Sequence, residues 1–575
     1  MLALAFDDVN MGVALRSVPT NESCRLNKDG RAAAGHASHV VNREVTMIVE
    51  AGAPFTQAAI NFPDRVALRD GRGRSLTYDQ LRKRANRIGS GLAKLGIADG
   101  DRVAVLSYNC LEVVELWLAL ERFNMVRVVL HSHFDMKTHV DTLNAVGAKA
   151  LIFDCNFADA VEVQRGSMVS VKSFVCIGAE APKWATPYES VLGKGDTTDP
   201  QLDIDDSAAC FLQLTSGTTG APKPWVHSHR SWRAVIANNL EHLDTFSPNG
   251  MAVGFQDVSL HFHALQWATG FQTLMPYLLR GSSTIVADDR TFDANALADT
   301  ILKEGVTGML VPGPMLPPIL DALEARDVTS HKLKRVVIFF ATPDLLERTS
   351  KVLGKVWCHG FGSTEQGAPT TRLTWSDVEA SPKRIESVGR AASPFFEMAV
   401  MNEKGERLSA GSIGEIVVRS AMSAGSYWGL PDKTDQSYFA GGWFRPNDIG
   451  YIDGEGFLFY LDRAKDRITT EKGVVYPHIV ETAVLRHAAV ANCGVVGIGG
   501  SARQSVVAAV LLRQGSTRSS KLASDIIAIA STGLSDHERP HRVVFVDELP
   551  TVLGGAKVQR EVLKQRIDEL AAVPG

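Results

Sequence analysis

The run Thr215-Ser216-Gly217-Thr218-Thr219-Gly220-Ala221-Pro222-Lys223 follows an apolar segment at 210–214 and has the residue types of a phosphate-holding loop. Gly217 and Gly220 let the backbone turn its N–H groups toward an anion, the hydroxyls of Thr215, Ser216, Thr218 and Thr219 add donors, and Lys223 supplies charge. A solvated Ser/Thr/Gly turn has the same composition, and the spacing is not that of a Walker A loop. Three H-x-H pairs, His131/His133, His227/His229 and His261/His263, have metal-ligand spacing, but no carboxylate or cysteine set joins them. His131 and Asp135 also form H-x-x-x-D, a pattern that arises often by chance. Gly494, Gly497 and Gly499 run in the order G-x-x-G-x-G, which reads as a strand-end turn and not as a dinucleotide fingerprint.

These residues need a large scaffold, and the chain has 575 residues, enough for three or four domain-sized units. It is 45% hydrophobic and 22% charged with a net charge of -4, which gives no reason to expect nucleic acid or anionic membrane as a partner. No stretch approaches eighteen consecutive apolar residues. Seven scattered cysteines without a C-x-x-C pair fit a reducing compartment, so a cytoplasmic location is expected. Residues 1–48 lack periodicity and the marks of a leader, and are expected to be a disordered extension; Met47 is a candidate start.

From about residue 50 to 460, short apolar strands alternate with amphipathic helices. Thr77 and Gln80 form a capping box, Leu81, Ala85, Ile88, Leu92 and Leu95 recur at helical spacing, and Gly96 supplies the stop. Strands are expected at 103–106, 150–153, 174–177, 210–214, 283–286, 308–311 and 336–339, with helices at 111–122 and 295–303. This alternation implies an α/β fold of mostly parallel, helix-covered sheets, whose ligands sit at the carboxyl ends of strands. After residue 400 the texture becomes turn-rich β, with strands at 414–419 and 456–460. A small α+β unit then follows, with strands near 495–498, 506–512 and 543–546 and a final helix from about Gln559.

Four further motifs lie in order downstream of the loop, and with them the chain resembles the adenylate-forming superfamily of acyl-CoA synthetases, adenylation domains and luciferases over about residues 50 to 570. The 215–223 loop matches the family's T-S-G-T-T-G-x-P-K, which holds the β- and γ-phosphates of ATP. Gly360-Phe361-Gly362-Ser363-Thr364-Glu365 resembles aromatic-G-x-T-E, which implies that Phe361 stacks on adenine, Thr364 bonds the α-phosphate and Glu365 coordinates Mg²⁺. Gly442-Trp443-Phe444-Arg445-Pro446-Asn447-Asp448 is similar to W-[FY]-x-T-G-D: Asp448 corresponds to the ribose ligand, while Pro446 and Asn447 replace Thr-Gly. Asp462-Arg463-Ala464-Lys465-Asp466-Arg467 resembles the hinge, with Arg463 on ribose and Lys465 as pivot. Lys472 and Gly473 fall in a segment that resembles the one completing the pantetheine tunnel in the CoA-ligase branch. Lys557 matches the catalytic lysine that bridges the attacking carboxylate and the α-phosphate, although one extra residue separates it from the preceding glycine.

The resemblance implies a nucleotide-binding adenylation domain over 49–464 and a mobile domain over 465–575. It further implies ATP, Mg²⁺ and coenzyme A as cofactors and activation of a small-molecule carboxylic acid, with Lys557, Lys223, Thr364 and His263 as catalytic residues. His261, His263, Phe340, Ala341 and Gly360 are expected at the acyl pocket; a satisfied core histidine is the other reading of His261 and His263. Phe340 stands where the family has glycine, which suggests a shortened or flat pocket for an aromatic or short-to-medium acid. An acyl carrier protein is the alternative acceptor, and a non-catalytic nucleotide-binding protein is the alternative class. The sequence says nothing of oligomeric state, nor of the effect of Pro224, which replaces a usual glycine.

Overall fold

The structure is a computed structural model that describes residues 48–50, 52–215, 222–247, 250–500, 503–552, 555 and 557–572. Residues 1–47 and 216–221 lie outside it, so Ser216, Gly217, Thr218, Thr219 and Gly220 of the loop and nearly all of the expected extension are not described. Ile48, assigned to that extension, pairs with Asp205 in a short two-stranded ladder.

The helix Tyr78–Lys94 shows how local chemistry sets an element. Thr77 and Gln80 bond reciprocally at its N-terminus, and Leu81, Ala85, Ile88 and Leu92 are fully buried along one face. Gly96, at φ +86°, turns the chain away after its last turn.

Among the described residues, two large sheets form the N-terminal part. The eight-stranded sheet runs parallel through Ala209–Thr215, Val126–Leu130, Arg102–Leu106, Ala150–Asp154 and Ser173–Ile177, with Lys223–Ser228 added antiparallel beside Ala209–Thr215. The nine-stranded sheet is parallel through Trp357–Phe361, Arg335–Phe339, Gly308–Pro312, Val258–His261, Ser283–Val286 and Val66–Asp70. Each parallel strand is a short apolar run because helices cover both faces. A six-stranded antiparallel sheet follows, containing Gly414–Arg419, Asp448–Ile452 and Leu458–Arg463.

The last unit pairs Val490–Gly500 with Arg503–Leu512, and Arg542–Val546 with the latter. Its core clusters, around Val480, Val495 and Ile526 and around Val496, Val507 and Leu563, draw only on residues after 467. No helix among the described residues is long and apolar enough to cross a membrane.

Two strand expectations need correction. Gly494 and Gly497 do not form a strand-end turn; they lie within Val490–Gly500, and only Gly499, at φ +122°, stands at its end. A Cβ at Gly494 would meet Leu563 and Val558, and one at Gly497 would meet Ile468 and Gln504, so close packing of neighbours requires these glycines. The strand expected at 456–460 is Leu458–Arg463, because Asp453 accepts from the N–H groups of Glu455 and Phe457 and holds the chain in a turn through Gly456.

Candidate functional site

The strand Ala209–Thr215 delivers Thr215 to the start of the loop, and Lys223–Ser228 receives its end. Thr215 pairs with Lys223, and its hydroxyl donates to the Lys223 carbonyl at 3.3 Å, closing the loop's base. Burial, with Lys433 nearby, lowers the Lys223 ammonium below its ordinary range. Pro224 occupies the next strand position and accepts from the N–H of Trp428 at 2.9 Å.

Gly360 pairs with Phe339 near the end of the strand Trp357–Phe361, and Phe361 packs 5.3 Å from Tyr460. Gly362 has φ +151°, and a Cβ there would strike the Thr370 hydroxyl and Ala368, so the turn that presents Ser363, Thr364 and Glu365 needs glycine. The Tyr427 hydroxyl donates to Glu365 Oε1 at 3.1 Å. Sequence reasoning missed Tyr427, for which no local pattern signals a partner 62 residues upstream.

Asp448 and Arg463 face each other on antiparallel strands, with a 3.9 Å ion pair. Asn447 takes φ +63°, the left-handed conformation that the usual glycine adopts freely and that asparagine tolerates best among the others, so the Pro446-Asn447 exchange keeps a turn there. Its carbonyl accepts from Ala464 N–H at 2.9 Å and ties the turn to the segment around Lys465. Burial raises the Asp448 carboxyl to about 7, with Arg463 opposing and Asp462 adding to the shift.

Lys557 reaches the same place from the C-terminal unit. It pairs with Val552 in a short hairpin, and Gly555 in that hairpin lies against Pro314, at the carboxyl end of Gly308–Pro312. The extra residue, Ala556, lies outside the described residues. Burial, then Arg463, lowers the Lys557 ammonium to about 7, while Glu365 and Asp448 pull the other way. Four motif residues far apart in sequence therefore feel one another's charge.

Behind Lys557, Arg560 donates to both Glu481 oxygens at 2.9 and 2.8 Å and to Asp466 at 3.2 Å, and lies 3.6 Å from Asp462. Asp462, buried, also accepts from the backbone N–H of Arg463 and His478. Sequence reading took the 462–467 charges as a hinge and did not foresee this clamp.

Lys472 and Gly473 are not brought to the site in this conformation. They lie on the hairpin Ile468–Thr470 with Gly473–Val475, whose neighbours are Gln504, Arg503 and His537 of the same unit. Lys465 sits in a 3-10 turn, Ala464–Asp466, between the two units.

His261 and His263 are buried at the carboxyl end of Val258–His261, with neither ring hydrogen-bonded among the described residues. Burial lowers them to about 3 and about 4, so both are neutral at pH 7. Phe340 is 50% exposed at φ +60°, and Ala341 N–H donates to His359 Nε2 at 3.4 Å. The other H-x-H pairs dissolve into structure: His227 stacks on Phe211, His229 bonds Asn124 and His131 stacks on Trp267. Asp135 caps the helix Met136–Val146, and no group of three or more His, Cys, Asp or Glu residues among the described residues could hold a metal ion.

The model of the AMP-binding enzyme family matches residues 55–428, well over half of the chain, and that of the AMP-binding enzyme C-terminal domain matches 479–553. The chain belongs to the AMP-binding enzyme family. Among its relatives, a long-chain-fatty-acid–CoA ligase of Thermus thermophilus is 28% identical over 506 residues, covering 85% of this chain and 90% of the relative. A fatty acid–[acyl-carrier-protein] ligase of Streptomyces coeruleorubidus is 28% identical over 503 residues, covering 85% and 91%. The crystal structure of an anthranilate CoA ligase with anthranoyl-AMP superposes with a TM-score of 0.82 at 22% identity, covering 92% of this chain and 98% of that one. As an AMP-binding enzyme, the chain has the superfamily's α/β fold of a large N-terminal part and a small C-terminal one.

Proposed function

We propose that this AMP-binding enzyme is an acid–CoA ligase that works in two half-reactions, divided between a nucleotide-binding unit over 49–464 and a mobile unit over 465–575. The observation that carries the reading is the convergence of Lys557 with Glu365, Asp448 and Arg463, residues from both units. A carboxylate oxygen attacks the α-phosphorus of ATP, pyrophosphate leaves, and an acyl-adenylate forms. Lys557 and Lys223 stabilise the charge that develops, Thr364 bonds the α-phosphate, and Asp448 and Arg463 hold ribose.

A lone carboxylate oriented by Tyr427 suits Mg²⁺, which binds through one or two carboxylates plus substrate phosphates. Held at Glu365, the ion would neutralise phosphate charge. In the second half-reaction the CoA sulfur attacks the acyl carbonyl, AMP leaves, and the thiol proton passes to solvent. Rotation about Lys465 exchanges Lys557 for Gly473, whose hairpin faces away from the nucleotide residues here.

A separate carrier protein is the second acceptor reading, supported by the carrier-protein ligase among the relatives. The half-exposed Phe340 favours an aromatic or short-to-medium acid. Incubation with ATP, Mg²⁺ and a panel of carboxylic acids should release pyrophosphate only with the cognate class, and CoA should then yield the thioester. Pyrophosphate without CoA thioester, but with loading of a phosphopantetheinyl carrier protein, would establish the second acceptor. No acid-dependent pyrophosphate release from folded enzyme would sink the ligase reading.

A further inference from the structure

Beside the loop's leading strand lies a buried set of polar side chains that the proposed reaction leaves unused. Gln213, two residues before Thr215, is 1% exposed. Its amide nitrogen donates to the Gln266 carbonyl at 2.9 Å and stands 3.4 Å from His131 Nε2. His131 Nε2 lies 3.4 Å from the Leu214 carbonyl, and the ring stacks on Trp267 with centroids 4.0 Å apart. The Gln266 amide nitrogen reaches the Ser107 carbonyl at 3.4 Å.

Ser107, His131 and Gln213 thus come from the carboxyl ends of three neighbouring strands of the eight-stranded sheet. Gln266 and Trp267 come from the segment that follows His263, off the other sheet. Asn109 fastens that segment by donating to the His263 carbonyl at 3.0 Å and accepting from Leu265 N–H at 2.8 Å. The set therefore lies between the phosphate loop and the histidines assigned to the acyl pocket.

The leftover amide atoms have one sense. The bonds above commit both glutamine nitrogens as donors, while His131 Nε2 lies between the Leu214 carbonyl and the Gln213 amide nitrogen. What remains of the glutamines is Gln213 Oε1 and Gln266 Oε1, two buried acceptors with no hydrogen-bond partner among the described residues, with His131 Nδ1 unpartnered beside them. Buried polar groups are almost always paired, and an acceptor left dry is destabilising, so this set is built to receive donors. Burial lowers His131 to about 3, so it is neutral, as are His261 and His263, and none offers a cation to a second carboxylate. No carboxylate belongs to the set either, so an ammonium would enter without a counter-ion.

We infer that the activated acid carries an uncharged hydrogen-bond donor, a hydroxyl or an aryl amino group, received by the side-chain oxygens of Gln213 and Gln266. This rests on the ligase reading and narrows its substrate class. A site built to bond a substrate O–H or N–H rejects the analogue that lacks it far more strongly than an apolar slot rejects a missing methylene.

The test compares benzoate and cinnamate with their hydroxy, amino and methoxy derivatives at each ring position, and hexanoate with 6-hydroxyhexanoate, in acid-dependent pyrophosphate release. A donor-bearing acid should exceed its unsubstituted parent at least tenfold in kcat/KM, and its methoxy counterpart should lose that gain; the hydroxy and amino arms tell the two donors apart. Gln266→Met, which keeps length and removes the acceptor, should collapse the ratio, mostly through KM. Gln213→Met provides the same reading if the first variant melts early. Turnover of parent and methoxy acids as good as that of every donor-bearing acid, or a ratio unchanged in both variants, overturns this inference and leaves the ligase reading standing. Silence with every acid in folded enzyme overturns both.

Discussion

Lys557 and Asp448 bring opposite charges into one site, and burial displaces both toward neutrality, each to about 7. The ammonium of Lys557 is lost as pH rises through that value, and the carboxylate of Asp448 is lost as pH falls through it. For free enzyme, kcat/KM for ATP in pyrophosphate release should therefore be bell-shaped with its maximum near neutrality. Lys557→Arg should remove the alkaline limb, and Lys557→Ala should lower the rate by about 10²–10³-fold, the usual loss for a preorganised donor at a developing charge. Phe340 offers a separate reading at this scale. Its φ of +60° puts a bulky side chain in a conformation that costs an L-residue about 1–2 kcal/mol. Phe340→Gly should raise the melting temperature while altering acid preference, and an unchanged preference would remove Phe340 from the acyl pocket.

Arg560 links three elements: the hairpin carrying Lys557, the helix Pro477–Val484 through Glu481, and the connection between units through Asp462 and Asp466. Arg560→Lys keeps the charge and loses the fork that bridges Glu481 and Asp466. It should weaken acid-dependent pyrophosphate release more than thioester formation from supplied acyl-adenylate, because in the proposed reaction Lys557 acts only in the first step. Equal losses in both would mean that the clamp serves stability alone. Most elements were legible from local pattern: the helix Leu111–Arg122 and the strands Ser283–Val286 and Gly414–Arg419 occur at the expected bounds, since period and turn residues are local. Gly494 and Gly497 misled because a glycine required by a crossing side chain looks, in one dimension, like a glycine required by a turn. The Arg560 clamp left no trace, because charge pairs separated by 79 or more residues have no sequence spacing.

At the scale of the whole molecule, the hydrophobic clusters separate on either side of the connection around Lys465. Each unit has a core of its own, so a chain ending at Ala464 should fold. It would retain Asp448, Arg463 and Glu365 and lack Lys557. We expect it to unfold cooperatively in a thermal melt and still bind ATP in calorimetry, with pyrophosphate release reduced at least as far as in Lys557→Ala. Failure to fold would show that the small unit completes the large one. By itself the sequence determined the α/β class, the order of the motifs and the membership they implied, because contiguous loops and short periodicities are written locally along the chain. Only the tertiary structure decided that Lys557 stands with Asp448 and Gly473 apart from it, that Tyr427 orients Glu365, and that Gln213 and Gln266 leave two buried acceptors open. Burial and through-space charge depend on which distant segments the fold brings together, and no spacing along the chain encodes that.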